Sequence, residues 1–323
     1  MKTGRSFLLL IFFLATPSYA AQLPNVAVLA MGQEDRVIPQ VRGLHDGLEE
    51  AGYVNGKNIT IQDIRAASAR ELHDLLNEVV RKDVDVIVTT SAKEATVAKQ
   101  TTRRIPIIFV PSIDPVGMGF VKSRARPDGN LTGLSFTRGV EDNGKQLLVF
   151  KQVVPKLRRV ITFYDRQITT NTSSKVLAAL SRAAKDLRID ITLHPSLSPA
   201  DAVRFFDRVP HKAMDGVFVI CNATFRRMGR LAERAAKTSA PLFGCTTTQV
   251  ADEGALMTYA PDIYYLGYRG AWYVDRILKG AKPRDLPVEA PSKFELVINL
   301  KTARQIGVTI PPEVLILADR VFQ

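Results

Sequence analysis

Asn25-Val26-Ala27-Val28-Leu29-Ala30-Met31 opens on one polar residue and is then apolar without interruption, which suits a strand buried on both faces. The period changes at once: Ile38, Val41, Leu44, Leu48 and Ala51 fall on one helical stripe, and Gly52 closes it. This strand-then-helix unit recurs down the chain. Residues 59–64 read as a second strand, and Ser68-Ala69-Arg70-Glu71 has capping-box spacing ahead of Leu72, Leu75, Leu76 and Val79. Residues 84–89 form a third strand, Ser91 and Glu94 repeat the capping box, and residues 105–110 form a fourth. Alternation of this kind requires right-handed crossovers and a parallel sheet covered by helices on both faces.

The pattern restarts after Lys151, with strands expected over residues 159–164, 189–194, 216–221 and 241–245. Each half has enough chain for its own core. The predicted fold is therefore α/β: two doubly wound parallel-sheet lobes with a ligand cleft between them. Glycine- and proline-containing stretches at 125–132 and 254–262 are the expected passages between lobes. We expect residues 21–137 and 262–290 to build the first lobe and 138–261 the second, with 291–323 a crossing segment and tail of open assignment. From Asp262 a long helix carries Ile263, Leu266, Ile277 and Leu278 and ends at Gly280, with Pro283 beyond.

The beginning of the chain reads as an export signal over residues 1–20. Lys2 and Arg5 precede the apolar run of residues 7–15, and Ser18-Tyr19-Ala20 supplies small residues at the two positions a signal peptidase reads. The run is too short to span a bilayer, so the mature chain is expected to be soluble outside the cytoplasm. Lysine and arginine together number 44 against 32 acidic residues, a formal charge of +12. They are scattered along the sequence, and no aromatic-basic interleaving or zinc-knuckle spacing accompanies them, so a nucleic-acid partner is not expected. Cys221 and Cys245 each close an apolar run at what would be equivalent ends of neighbouring strands. Both a disulfide and two buried thiols fit that placement.

Several multi-residue blocks go beyond pattern. Arg104-Ile105-Pro106-Ile107-Ile108-Phe109-Val110, Asp114-Pro115-Val116-Gly117 and Ala125-Arg126-Pro127-Asp128-Gly129-Asn130-Leu131-Thr132-Gly133 occur in order. Gly254-Ala255-Leu256-Met257-Thr258-Tyr259-Ala260-Pro261-Asp262, Tyr273-Val274-Asp275-Arg276-Ile277-Leu278-Lys279-Gly280 and Lys293-Phe294-Glu295-Leu296-Val297-Ile298-Asn299-Leu300-Lys301-Thr302-Ala303 follow. Together they resemble the ABC-transporter substrate-binding proteins of the family that includes aromatic amino-acid binders. The resemblance implies a periplasmic-binding-protein fold of the first type, two lobes joined by three crossing segments. It also implies a monomer that closes on a small ligand and hands it to an ABC permease in the inner membrane. Gram-positive members usually begin with a lipid-modified cysteine; none stands here, which points to a Gram-negative periplasm. A sensing receptor that docks on a membrane signalling protein is the alternative.

In open parallel sheets small ligands sit beyond the carboxyl ends of the strands. Thr89, Thr90 and Ser91 stand there in the first lobe, where hydroxyls and free amides at a helix start suit a carboxylate. Ser91 also reads as a plain helix cap, which makes Thr90 the stronger ligand contact. Asp114 either accepts from a ligand ammonium or organises the turn before Pro115. Tyr164, Asp165, Asn171, Cys221, Asn222, Thr224 and Thr247 end strands or open helices of the second lobe. Tyr164, Phe225 or Tyr259 would supply an aromatic wall, and Gln33 with Glu34 follows the first strand. The expected ligand is an amino acid or a small carboxylate.

No catalytic, metal or cofactor site is expected. Gly139-Val140-Glu141-Asp142-Asn143-Gly144-Lys145-Gln146 approaches a P-loop, but Gln146 replaces the magnesium-binding hydroxyl and two carboxylates would repel phosphate. His45, His73, His194 and His211 have no metal-ligand spacing, and no G-x-S-x-G marks a nucleophile.

Overall fold

The computed structural model describes residues 23–32, 38–166, 171–222, 224–225 and 227–323. The first lobe is built on parallel strands β1 (Asn25–Met31), β2 (Thr60–Ala66), β3 (Val86–Thr89), β4 (Ile107–Ser112) and β5 (Leu131–Ser135). Their spatial order is β2-β1-β3-β4-β5, the doubly wound arrangement the alternation demanded. Every residue of β3 is buried, as a strand with helices on both faces must be. Helices α1 (Pro39–Glu50), α2 (Ala69–Arg81) and α3 (Ala92–Thr101) make the crossovers.

The second lobe carries α4 (Asp142–Val153), β6 (Arg159–Asp165), α5 (Asn171–Asp186), β7 (Asp190–Ser196), α6 (Pro199–Phe206) and β8 (Gly216–Val219). After these come α7 (Gly229–Lys237), β9 (Leu242–Phe243), α8 (Thr247–Ala251) and β10 (Met257–Ala260). The chain then returns to the first lobe as α9 (Ile263–Leu278) and comes back as β11 (Glu295–Asn299) and, near its end, β12 (Arg320–Phe322). The sheet order is β12-β11-β10-β9-β8-β6-β7. It is not wholly parallel, because β11 runs antiparallel to β10 with Glu295 opposite Ala260. The reason is geometric: the chain leaves this lobe at the Ala260 end of β10 and re-enters at the same end, so the returning strand must point the other way.

Three segments therefore join the lobes, at 136–141, 261–262 and 279–294. All meet the carboxyl ends of β5 and β10, so the carboxyl ends of both parallel sets face each other across the cleft. The P-loop-like stretch is one of these crossings. There the nearly buried Asp142 accepts from the Arg138 amide at 2.6 Å, so a carboxylate stands where a phosphate would lie.

The joint between α1 and α9 fixes the first lobe's outer helix layer. Gly43 and Gly267 let the two backbones touch: a Cβ on Gly43 would lie 2.0 Å from the Tyr264 carbonyl oxygen, and one on Gly267 1.9 Å from that of Gln40. At the rim, Tyr264 Oη donates to Asp46 at 2.8 Å and Tyr268 Oη to Glu50 at 2.6 Å.

On the other side of α1, His45 Nε2 lies 3.0 Å from Asp63 Oδ1 on β2. The hydrogen bond to Asp63, with Asp63 and Asp46 charges behind it, raises the imidazole pKa despite partial burial. A raised folded-state pKa stabilises the fold fully below the ordinary value of 6.5, and that stability is lost as pH climbs through the raised value. We expect the melting-temperature gap between wild type and His45→Gln to be larger at pH 5.5 than at pH 8. A gap independent of pH would remove the ion pair from the account.

Candidate functional site

The first lobe's contribution begins where β3 ends. Thr89 is fully buried and its Oγ1 has no hydrogen-bond partner. Thr90 Oγ1 reaches Glu94 Oε1 at 3.4 Å, and its carbonyl accepts from Gln40 Nε2 at 3.3 Å. Ser91 caps α3 by accepting from the Lys93 amide at 3.2 Å. The expected capping box is not what forms: Glu94, with no exposed surface, accepts from the Met31 amide at 2.8 Å and from the Ser91 hydroxyl. Its carboxylate thus ties the end of β1 to the start of α3. Burial of a carboxylate is tolerated here because backbone and hydroxyl donors surround it. Asp114 accepts from the Gly117 amide at 2.8 Å, so it organises its turn.

Across the cleft, Asp165 ends β6 and is nearly buried, and the Thr224 hydroxyl donates to it. Asn222 Oδ1 accepts from the amides of Thr224 at 2.8 Å and Phe225 at 3.2 Å, while its Nδ2 donates to the Ile220 carbonyl at 3.2 Å. It shapes the loop that presents Thr224. Phe225 is fully buried and belongs to the core. Buried Gln249 holds the loop from below: its Nε2 donates to the Phe225 carbonyl at 2.6 Å and its Oε1 accepts from the Cys245 amide at 2.6 Å.

Cys221 and Cys245 are bridged, with Cα atoms 5.2 Å apart. The bridge joins the loops after β8 and β9. Closing a loop of 24 residues is worth about 3.5 kcal/mol in the chain-entropy account. Reduction, or the Cys221→Ser, Cys245→Ser double variant, is expected to lower urea stability by that amount. An unchanged midpoint would mean that packing alone holds the two loops.

Among the described residues, a side-chain contact joins the lobes inside the cleft. Lys93, in the first turn of α3, donates from Nζ to Thr224 Oγ1 at 3.5 Å. A first-lobe cation thereby reaches a second-lobe carboxylate through a single hydroxyl. Thr90, Ser91, Asp165, Asn222 and Thr224 are brought to this place together. Half-buried Tyr164 precedes Asp165 on β6, and Asn171 opens α5.

Tyr259 and Thr247 stand at the hinge. The Tyr259 ring lies 5.4 Å from that of Phe294, over which the Arg138 guanidinium sits at 4.1 Å, and its carbonyl accepts from Gln146 Nε2 at 2.9 Å. Thr247 lines a cavity of about 220 Å³ with Pro39, Asp262, Tyr264 and Arg320. Gln33 and Glu34 lie outside the described residues. Among the described residues no cluster of three metal-ligating side chains occurs and no helix is long and apolar enough to cross a membrane.

Lys93 and Gln249 had not been singled out from the sequence. Lys93 did carry a signal, since a cation in the first turn of a helix opposes the helix dipole and needs a compensating partner. Gln249 carried none.

A family model described as ABC transporter substrate binding protein matches residues 25–322. A tyrosine-binding protein of Clostridioides difficile is 25% identical over 285 residues, which cover 87% of this chain and 80% of the relative. Among solved structures, a conserved domain protein of Vibrio cholerae is 27% identical with a TM-score of 0.83, covering 93% of this chain and all of that one. A Streptococcus pneumoniae ABC domain in complex with L-Trp is 23% identical with a TM-score of 0.82 and the same coverage, a likeness of fold.

Proposed function

We propose, for a chain that belongs to the ABC transporter substrate-binding protein family, that it is the periplasmic receptor of an importer and delivers an amino acid to a membrane permease. One observation carries the reading: Lys93 from one lobe and Asp165 from the other meet through the Thr224 hydroxyl. A cation and a carboxylate so placed match the two ends of an α-amino acid. Lys93 and the free amides at the start of α3 receive the ligand carboxylate, while the Thr90 and Ser91 hydroxyls stay bonded to Glu94 and hold that helix start in place. Asp165 and Thr224 receive the ammonium, and Tyr164 is the stacking surface for a flat side chain. Ligand binding draws Lys93 and Asp165 onto one molecule and so closes the hinge. This role needs no bond-making chemistry and no cofactor, and a monomer suffices for it.

The relatives that bind tyrosine and tryptophan make aromatic amino acids the first to test. The experiment is calorimetric titration of protein refolded free of carried-over ligand, with L-tyrosine, L-tryptophan, tyramine and L-tyrosine amide. An amino acid is expected to bind, and its decarboxylated and amidated analogues to bind at least tenfold more weakly, the loss of a charged hydrogen bond. Equal binding of tyramine and tyrosine would defeat the carboxylate assignment; no binding of either L-tyrosine or L-tryptophan would defeat the aromatic amino-acid reading.

A further inference from the structure

The basic excess looks scattered along the sequence, but the fold gathers part of it on one edge of the first lobe. The stretches 99–104, 122–126 and 282–284 contain Lys99, Arg103, Arg104, Lys122, Arg124, Arg126, Lys282 and Arg284 and no acidic residue. Their backbones are pinned side by side beside the terminal strand β5. Asn130 Nδ2 donates to the Ile105 carbonyl at 2.7 Å, Lys99 Nζ donates to the Gly119 carbonyl, and the Val288 amide donates to the Arg124 carbonyl at 2.7 Å. Thr132 Oγ1 donates to the Leu286 carbonyl at 2.6 Å, which holds the third stretch against β5.

Arg103, Arg104, Lys122, Arg126, Lys282 and Arg284 are exposed, and none of them forms an ion pair. Elsewhere on the molecule arginines and lysines commonly have carboxylate partners, as in Arg159–Asp215, Arg269–Glu289 and Lys293–Asp319. Of the eight, Lys99 and Arg124 are tied down, Lys99 to the Gly119 carbonyl and Arg124 to the Arg138 carbonyl at 3.0 Å and to Ser135 Oγ at 3.2 Å. The remaining heads are long and separate, and the carboxylates next to them in the chain, Asp128, which accepts from the Lys122 amide at 3.2 Å, and Asp285, form no ion pair with them. Such an array matches diffuse negative charge spread over a surface rather than a single small anion. Exposed Val116, on the turn that ends at Gly119 beside Lys99, adds an apolar contact at the rim.

We propose that this edge is an electrostatic docking surface for a bilayer carrying anionic phospholipid. The surface lies beside β5, away from the Lys93–Thr224 contact, so a docked molecule keeps its cleft accessible. Each cation near an anionic leaflet strengthens partition by about fivefold, and the effect decays within a Debye length of about 10 Å at 0.1 M salt.

The test is co-sedimentation of the full mature chain with vesicles of phosphatidylcholine alone or mixed with phosphatidylglycerol. Wild type is expected to bind the mixed vesicles and to be released by 0.5 M sodium chloride, where the Debye length falls to about 4 Å. The Arg103→Gln, Arg104→Gln, Lys122→Gln variant is expected to lose on the order of 100-fold in partition while keeping its melting temperature. These residues are exposed and unpaired, so the variant retains the fold. Wild-type binding no stronger to mixed than to neutral vesicles overturns the proposal, as does a triple variant that binds like wild type.

Discussion

Gly267→Ala is expected to lower the melting temperature by about 10 °C. The added methyl would sit 1.9 Å from the Gln40 carbonyl oxygen and 2.7 Å from its Cα, both backbone atoms that no rotamer change can move. Relief requires α1 to shift away from α9, which opens the packing shared by Leu44, Leu48, Leu266 and Ala271. Overpacking of this kind costs about 3 kcal/mol, and each kcal/mol moves the melting point of a chain this size by about 2–4 °C. The damage also reaches the site, because Gln40 holds the Thr90 carbonyl at 3.3 Å. Ligand affinity is accordingly expected to fall along with stability. Scanning calorimetry checks the first effect, and a drop of less than about 2 °C would show that the two helices separate freely.

Asp165→Asn is expected to weaken amino-acid binding by about 100-fold with little change in melting temperature. The substitution keeps the shape and still accepts from the Thr224 hydroxyl, but removes the charge that would face the ligand ammonium. A hydrogen bond to a charged group is worth about 1.5–3 kcal/mol, which sets the scale. Lys93→Met is expected to produce a loss of similar size from the other lobe. Because one ligand bridges both groups, the double variant should lose less than the sum of the single losses. Calorimetric titration with the best ligand measures all four states. A change below threefold in Asp165→Asn would move the ammonium contact elsewhere in the cleft.

Much of the first lobe was legible because its signals are local. The apolar run at 25–31, the stripe from Ile38 to Ala51 and the cap at Ser68 each act within one or two turns of chain, and the structure forms β1, α1 and α2 there. The second lobe was legible up to β9. The reversal of β11 was not, since a strand's direction depends on where the chain last crossed between lobes, a fact no window of sequence contains.

The candidate site was read from residue type and strand-end position, and the roles of its residues were not. The strand-end rule led to Thr90, Ser91, Asp165, Asn222 and Thr224, and these are neighbours of the cross-cleft contact. What each does depends on partners far away in sequence. Glu94 looked like one member of a capping box and instead anchors the end of β1, 63 residues earlier. Asn222 looked like a ligand contact and turns its amide into its own loop. Phe225 looked like a candidate wall and is core. Lys93 meets Thr224 across 131 residues, a pairing that follows only from how the two lobes are set against each other.

The amino-acid sequence alone determined that this protein is built of strand-helix units in two lobes, and its block resemblances led to the substrate-binding family. Hydrophobic period, caps and turn residues act over a few residues, where backbone geometry leaves a small set of choices. Tertiary structure alone decided which charges meet, which are buried and which stand unpaired together on the edge beside β5. Those outcomes depend on distances between segments remote in the chain, and electrostatic and hydrogen-bond energies are set by such distances and by the burial of the groups involved.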